Sequence, residues 1–229
     1  PLGFSFILIG GVSSDIRGDK ADKLYAVLRG AKEALEGSDV VDRVCEELSG
    51  IYEGRALAER ATGMLARAYG STVDVRVEAP YGVYGELKRK PLMEAGRDLA
   101  SVLRLQVKEA IEALDIAYEA LKTAPAGAFR VRTARKAAKG LYAARVESPS
   151  GEQVAFIETV GGDRVGCYRA KQPCNVNAAA LLSASVGLPV DDAIKGLCYA
   201  ALMLPQVASV RVRDKTTGEV KSISPWVKF

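Results

Sequence analysis

A thiol and two asparagine amides cluster in the segment Lys-Gln-Pro-Cys-Asn-Val-Asn at residues 171–177. This segment joins a predicted strand to a predicted helix, so it can present a nucleophile and hydrogen-bonding groups to a ligand. Asn175 is also a residue type that caps the first turn of a helix. Composition alone favours the capping role over a ligand site.

Two tyrosines, Tyr81 and Tyr84, occupy a turn-rich loop between Glu78 and Glu86. Tyrosines on such a loop can line a cavity, because each ring combines an apolar body with a polar tip. Half-buried tyrosines are common in lids of no chemical role, so the loop by itself decides nothing.

The chain contains no histidine, and this excludes more chemistry than any other count. Without His there is no Ser-His-Asp triad, no Cys-His dyad and no His-ligated zinc. The four cysteines form no Cys-x-x-Cys pair, so the sequence predicts free thiols in a reducing compartment. These cysteines are Cys45, Cys167, Cys174 and Cys198.

Basic residues are concentrated between residues 130 and 139, although 32 Lys+Arg against 28 Asp+Glu leave a net charge of only +4. Phe129 is the one aromatic residue beside this run, so a single-stranded nucleic-acid site is disfavoured. A solvated connector, or a docking surface for an acidic partner, is the favoured interpretation. The run comprises Arg130, Arg132, Arg135, Lys136 and Lys139.

Periodicity of the apolar residues predicts the elements that position these groups. We expect an α+β fold dominated by helix: a helical bundle around one long helix, with a small antiparallel β unit. Residues 1–128 form the helical region, and residues 129–229 carry the β unit, two helices and a C-terminal hairpin, all within one integrated domain. The apolar stretch at residues 2–12 is too short to span a bilayer and lacks the basic head of a signal peptide. Helices are predicted at 20–35, 40–48, 55–69, 94–122, 177–185 and 190–202, and extended segments at 4–9, 71–90, 141–146, 154–160, 164–170, 207–213 and 219–223.

Several motifs in the first half resemble one superfamily. Residues 63–70 (Gly-Met-Leu-Ala-Arg-Ala-Tyr-Gly) are followed by Asp74-Val75-Arg76 and then by Pro80-Tyr81. This order resembles the Gly-Pro-x-x-Arg-Ala-Ser-Gly, Asp-x-Arg and Pro-Tyr segments of the large subunits of energy-converting [NiFe]-hydrogenases and of the D subunit of NADH:quinone oxidoreductase (complex I). Gly10-Gly11-Val12 with Asp15, in itself a structural turn, also matches that family.

The second half agrees in order and spacing. Residues 147–152 (Glu-Ser-Pro-Ser-Gly-Glu) resemble the family's Glu-Ala-Pro-Arg/Lys-Gly-Glu turn. Residues 169–177 resemble its Arg-x-Arg-x-Pro-Ser-x-x-Asn segment, with Cys174 at the Ser position and Asn177 four residues after Pro173. The resemblance therefore spans about residues 8 to 200.

The sequence departs from the family at the residues that bind metal. Active hydrogenases hold nickel and iron with two Cys-x-x-Cys pairs, and this sequence has neither. Ser150 replaces the basic residue that overhangs the hydrogenase metal site. Without thiolate ligands a soft-metal site cannot form, so we expect a truncated or divergent member without its own metal centre.

The resemblance implies a subunit of a membrane-associated NADH:quinone oxidoreductase or energy-converting hydrogenase-type complex. The resemblance implies that such a subunit is a scaffold and a candidate component of a quinone cavity. It also implies that iron–sulfur clusters lie in a partner subunit and that NAD binding is an activity of the complex. We expect a cytoplasmic chain, peripheral to the membrane, that contacts the bilayer only through its partners. The residues that the resemblance places near the old active site are Tyr81, Tyr84, Ser150, Cys174 and Asn177.

Two alternatives remain open at this point. The missing ligands favour a non-catalytic assembly or interaction module derived from the same family. A basic nucleic-acid-binding protein that uses residues 130–139 is disfavoured by the small net charge.

Overall fold

The computed structural model describes residues 7–8, 10–13, 15–16, 18–87, 89–124, 126–134, 136–201, 210–213 and 215–223. Its elements, in chain order, are β1 (Ile7–Leu8), β2 (Gly11–Val12), α1 (Asp19–Glu36), α2 (Val40–Leu48), α3 (Leu57–Arg60), α4 (Gly63–Ala68), α5 (Val75–Glu78), a 3-10 helix (Gly82–Gly85), α6 (Leu99–Thr123), β3 (Gly140–Ser148), β4 (Gly151–Gly161), β5 (Arg164–Lys171), α7 (Pro173–Ala184), α8 (Val190–Ala201), β6 (Val210–Arg213) and β7 (Val220–Ile223). The predicted α+β class with helix dominant is confirmed.

The described residues form three small sheets beside the helices. The largest has the order β3-β4-β5, and its two-residue connections make it an antiparallel meander. Strand β6 pairs with β7 in antiparallel register, with Val210 opposite Ile223, as the predicted C-terminal hairpin requires. The arrangement of the helices as a bundle around the longest one stays a prediction.

The chain divides into two compact units, each built from separate stretches of sequence. Unit 1 comprises residues 1–38, 107–144 and 155–170, and unit 2 comprises 39–106, 145–154 and 171–229. Helix α6 and all three strands of the largest sheet pass from one unit into the other. The division follows packing within the chain, whereas the boundary at residues 128/129 follows a change in composition and stays a prediction.

Unit 2 holds the apolar core. Its centre is formed by side chains of α2, α4, the first turns of α6, and α7, and these bury Leu48, Leu65, Leu105 and Leu181 to 1% exposure or less. In the described part of unit 1 no apolar residue is buried to this degree, and α1 has no buried residue along its length. Hydrophobic stabilisation is therefore concentrated in unit 2.

The helix predicted at 55–69 is broken into α3 and α4, and that prediction was wrong. Gly63 has a φ of +64°, which an α-helix does not allow, and a Cβ at this position would overlap the backbone of Gly151. The break at residues 61–62 thus results from a close approach between distant segments. Gly70, with φ +97°, follows the end of α4 in a left-handed conformation, which is how helices commonly end at glycine.

The prediction of an extended stretch at residues 71–90 was also wrong in part. The alternation of Val73, Val75 and Val77 is interrupted by the helical turn α5, because Asp74 caps it by accepting a hydrogen bond from the Arg76 backbone N–H at 2.9 Å. A second short helical turn, the 3-10 helix, carries the tyrosine loop.

The bounds of two further helices differ from the prediction. Helix α6 begins at Leu99 rather than residue 94, where the Asp98 carboxylate accepts from the Ser101 backbone N–H at 2.8 Å. Helix α7 begins at Pro173 in place of residue 177. Gln172 is therefore the capping position and Asn175 lies inside the helix, so the capping role predicted for Asn175 was wrong.

The remaining predicted elements are confirmed within a few residues, namely α1, α2, α8, β3, β4 and β5. Parts of the predictions at 4–9, 190–202 and 207–213, and the side chain of Arg135, lie outside the described residues. None of the helices in the described part of the chain combines the length and the apolar character needed to cross a bilayer.

Candidate functional site

Arg67 is the centre of a charged network within unit 2. Helix α4 carries it into the core, where its side chain is fully buried. One guanidinium nitrogen, Nη1, donates to Glu147 Oε1 at 2.8 Å and to the Val73 carbonyl at 3.1 Å, and lies 3.8 Å from Asp74 Oδ2. A buried arginine needs such partners, because an unpaired charge in the core is strongly destabilising.

Asp74 is buried beside Arg67 and is held mainly by Arg76. The Arg76 guanidinium reaches it through Nη2 at 2.6 Å and through Nε at 2.9 Å, a fork that matches the carboxylate. Burial alone would raise the pKa of Asp74, but the hydrogen bonds and positive charges of Arg76 and Arg67 outweigh it and lower that pKa below its ordinary value. Asp74 is thus held as an anion.

Glu147, on β3, is the second carboxylate of the network. Burial raises its pKa above the ordinary glutamate value; the Arg67 charge opposes this shift, and Asp74 adds to it. Its Oε2 accepts from the Val75 backbone N–H at 3.4 Å. The network therefore balances two arginines against two carboxylates, of which Glu147 is the one with the smaller preference for the charged form.

Tyr81 is bonded to the backbone of the same glutamate. Its hydroxyl accepts from the Glu147 N–H at 3.1 Å and donates to the Glu147 carbonyl at 3.3 Å. The Tyr81 and Tyr84 rings meet edge to face, with centroids 5.0 Å apart, and the Arg89 guanidinium carbon lies 5.8 Å from the Tyr84 ring centroid. The tyrosine loop is therefore fixed to the end of β3.

Asn177 joins two further segments. From α7, its side-chain oxygen accepts from the Thr62 backbone N–H at 2.8 Å, and its amide nitrogen donates to the Ser150 carbonyl at 2.9 Å. This places the start of α4 against the turn between β3 and β4, where Gly63 and Gly151 approach with no room for a Cβ on either. The side chain of Asn177 is buried and both of its polar ends are used.

Four of the five candidate residues from the sequence form two pairs of contacts. Tyr81 and Tyr84 touch each other, and Ser150 is bonded to Asn177. Cys174 is buried in α7, with its sulfur 3.8 Å from the Asn175 side-chain oxygen. That these residues line one cavity stays a prediction.

None of the four residues of this network was predicted from the sequence as a site residue, although the quoted motifs contain Arg67, Asp74, Arg76 and Glu147. A sequence pattern does not show which charges are buried, and an Arg within a short apolar helix was the one signal available. Among the described residues, no group of three or more His, Cys, Asp or Glu is arranged to hold a metal ion. The expected absence of a metal centre stays a prediction.

Known proteins of similar sequence include a subunit of an NADH-quinone oxidoreductase and a hydrogenase. The chain is 26% identical over 209 residues to the C/D protein of the NADH-quinone oxidoreductase of Phocaeicola vulgatus, covering 87% of this chain and 38% of that protein. It is 26% identical over 193 residues to a carbon monoxide-induced hydrogenase of Rhodospirillum rubrum, covering 80% of this chain and 53% of that protein. The chain spans about half, or less, of the length of these relatives.

A solved structure shows the same fold. One chain of the membrane-bound sulfane sulfur reductase, an archaeal respiratory membrane complex, aligns with a TM-score of 0.69 at 23% identity, over 86% of this chain and 56% of that chain. Because the sequence identity is low, this structural similarity is evidence for the fold alone.

The model of one protein family matches residues 2–139, which is more than half of the chain. That family is described as the 49 kDa subunit of the respiratory-chain NADH dehydrogenase. The matched range includes Arg67, Asp74, Arg76 and Tyr81. The chain belongs to the family of the respiratory-chain NADH dehydrogenase 49 kDa subunit.

Proposed function

We propose that this chain is a subunit of a membrane-associated NADH:quinone oxidoreductase or energy-converting hydrogenase-type complex. In that complex it is a scaffold that contributes to a quinone cavity and has no metal centre of its own. The observation that carries the proposal is the buried network of Arg67, Asp74, Arg76 and Glu147, because its first three members lie in the range that the family model matches.

The network supports a scaffold role because of the segments that it ties together. Arg67 connects α4 to β3, and Asn177 connects α7 to the start of α4 and to the turn after β3. Each of these contacts joins segments far apart in sequence, so the region is rigid without any cofactor. A rigid frame of this kind suits a subunit that orients a reacting molecule next to a neighbouring subunit.

The tyrosine loop supports a quinone cavity. A quinone head group is a flat ring with two carbonyl acceptors, and it is recognised by aromatic faces and hydrogen-bond donors. The loop carries the aromatic rings of Tyr81 and Tyr84, and the Arg89 guanidinium carbon lies 5.8 Å from the Tyr84 ring centroid. We propose that electrons reach the quinone from iron–sulfur clusters of a partner subunit, that NAD(H) is oxidised elsewhere in the complex, and that the complex holds this chain at the cytoplasmic side of the membrane.

A second candidate function is an assembly module derived from this family. It is favoured by the absence of His and of Cys-x-x-Cys pairs in the sequence, and by the structural use of Tyr81 and Asn177, whose polar groups hold backbone segments together. In this case the chain positions other subunits and no quinone contacts it.

One experiment separates the two candidates. The chain is tagged and purified from cells with its partners, iron and subunits are identified, and quinone reduction is measured for the Tyr84→Leu and Tyr25→Leu variants. Tyr25 is a matched control, since its ring also meets a second tyrosine edge to face, with centroids 4.9 Å apart, in unit 1. We expect an iron–sulfur subunit in the preparation, and an increase in the quinone KM of about tenfold for Tyr84→Leu alone, equivalent to about 1.4 kcal/mol of binding.

The other outcomes are equally informative. Recovery of an iron–sulfur subunit with the same KM in both variants would reject the cavity and leave the assembly module. Recovery of the chain without any iron–sulfur protein would reject membership of such a complex.

A further inference from the structure

Unit 1 exposes several large apolar side chains along residues 129–144 and 155–170, here called the connector–sheet surface. Leu141 is 64% exposed, and Val165 and Tyr168 are each 60% exposed. Contiguous exposed apolar area on a folded chain marks an interaction site more often than chance. The other large apolar residues exposed on this surface are Phe129, Val131, Tyr142 and Val160.

The same surface is strongly basic. Its two stretches contain seven Lys or Arg residues and two acidic ones, in a chain whose net charge is only +4. Arg130, Arg132, Lys136, Lys139, Arg164 and Arg169 are exposed and form no ion pair with any other residue that the structure describes. Unscreened like charges on one surface repel each other, and a partner of opposite charge removes that repulsion.

The backbone that carries these side chains is held in place. The connector is bonded to β2 and its neighbour, with the Val12 N–H donating to the Phe129 carbonyl at 3.1 Å and the Val131 N–H to the Gly10 carbonyl at 2.9 Å. Further along, Ala137 and Gly162 exchange two hydrogen bonds, at 2.8 and 3.0 Å. A surface fixed in this way loses little conformational entropy on binding.

We propose that the connector–sheet surface is the docking site for an acidic protein surface with an apolar centre, on another subunit of the complex. The proposal rests on the proposed function and deepens it, because it names the chemistry of the subunit that binds here. Exposed apolar and basic residues alternate along Phe129-Arg130-Val131-Arg132, so both kinds of side chain lie within one short segment of the connector. The net charge of the chain, only +4, is far below the excess of a dedicated nucleic-acid binder, which favours a protein over a nucleic acid.

The test uses the tagged chain purified with its partners from cells. In the reversal variant Arg130, Arg132, Lys136 and Lys139 are changed to Glu. In a matched control of equal charge change, Lys20, Lys23, Arg29 and Lys122, which are exposed on α1 and α6 of the same unit, are changed to Glu. We expect the reversal variant to lose at least one co-purified subunit by about tenfold or more, while the control retains all of them.

Direct contact is measured with a carbodiimide, which joins lysine amines to carboxylates without a spacer, followed by mass spectrometry. In the wild type we expect cross-links from Lys136 or Lys139 to Asp or Glu of the lost subunit. The Lys136→Arg, Lys139→Arg variant keeps the charge, so it must retain the subunit and lose the cross-links.

Four results would overturn the proposal. Equal recovery of all subunits from the reversal variant and the control would reject this docking site alone and leave the proposed function intact. Recovery of no other subunit with the wild type would reject both. Cross-links only between two copies of this chain, or loss of the partner on nuclease treatment, would assign the surface to self-association or to nucleic acid.

Discussion

At the residue scale, the most consequential feature is that Arg67 pairs with two carboxylates, of which only Asp74 has a second arginine partner among the described residues. Asp74 Oδ2 also pairs with Arg76 Nη2 at 2.6 Å, a contact that does not involve Arg67. Glu147 has no second arginine in the described contacts and depends on the 2.8 Å bond to Arg67. Loss of Arg67 therefore leaves Glu147, not Asp74, as the uncompensated buried charge.

We predict that Arg67→Met reduces the free energy of unfolding by about 3–5 kcal/mol at neutral pH, measured by urea denaturation. The loss should be smaller at pH 5 than at pH 8. The Arg67 charge opposes the rise in the Glu147 pKa, so removing Arg67 raises that pKa further. Glu147 then binds its proton more tightly in the folded variant than in the unfolded chain, so the variant loses more stability than the wild type as pH rises from 5 to 8.

Two variants control this experiment. Arg60→Met removes an exposed arginine that bonds only the Ser183 hydroxyl at 3.2 Å, and should change stability by less than about 0.5 kcal/mol. Adding Glu147→Met to Arg67→Met removes the stranded charge and should recover part of the loss. A loss for Arg67→Met no larger than that of Arg60→Met would show that the network does not stabilise the fold.

At the element scale, sequence periodicity was sufficient wherever an element is stabilised by its own pattern. Helices α1 and α2 and the meander β3-β4-β5 follow the apolar spacing to within a few residues. The failures share a cause: a contact with a distant segment overrides local propensity. Gly63 breaks a helix because Gly151 approaches it, and Asn177 bonds Thr62 and Ser150, which no local pattern reveals.

The close approach of α4 to the β3–β4 turn can be measured with two glycines of the same conformation. Gly63 has φ +64° and Gly54 has φ +67°, but only at Gly63 would a Cβ meet backbone; at Gly54 nothing lies within 4 Å. We predict that Gly54→Ala costs about 1 kcal/mol of unfolding free energy, from the left-handed backbone alone. Gly63→Ala should cost about 3 kcal/mol or more, since overlap with the backbone is added. Equal costs in urea denaturation would contradict the packing of α4 described above.

At the scale of the whole molecule, the two units differ in what stabilises them. The fully buried apolar residues that the structure describes all lie in unit 2, whereas unit 1 exposes apolar residues on its sheet. A unit with little apolar burial opens locally at low free-energy cost. Docking of a partner on the connector–sheet surface would supply unit 1 with the burial that it lacks.

Helix α6 provides an internal comparison, because its first turns belong to unit 2 and the rest to unit 1. Its buried residues end at Leu105. We therefore predict, for native-state hydrogen exchange of the isolated chain, that amides at residues 108–118 exchange at least about tenfold faster than those at 103–106, a difference of about 1.4 kcal/mol in opening free energy. In the purified complex this difference should narrow, because a bound subunit protects unit 1. Uniform protection along α6 in the isolated chain would show that unit 1 is as stable as unit 2. It would contradict the inference that unit 1 is stabilised by a docked partner.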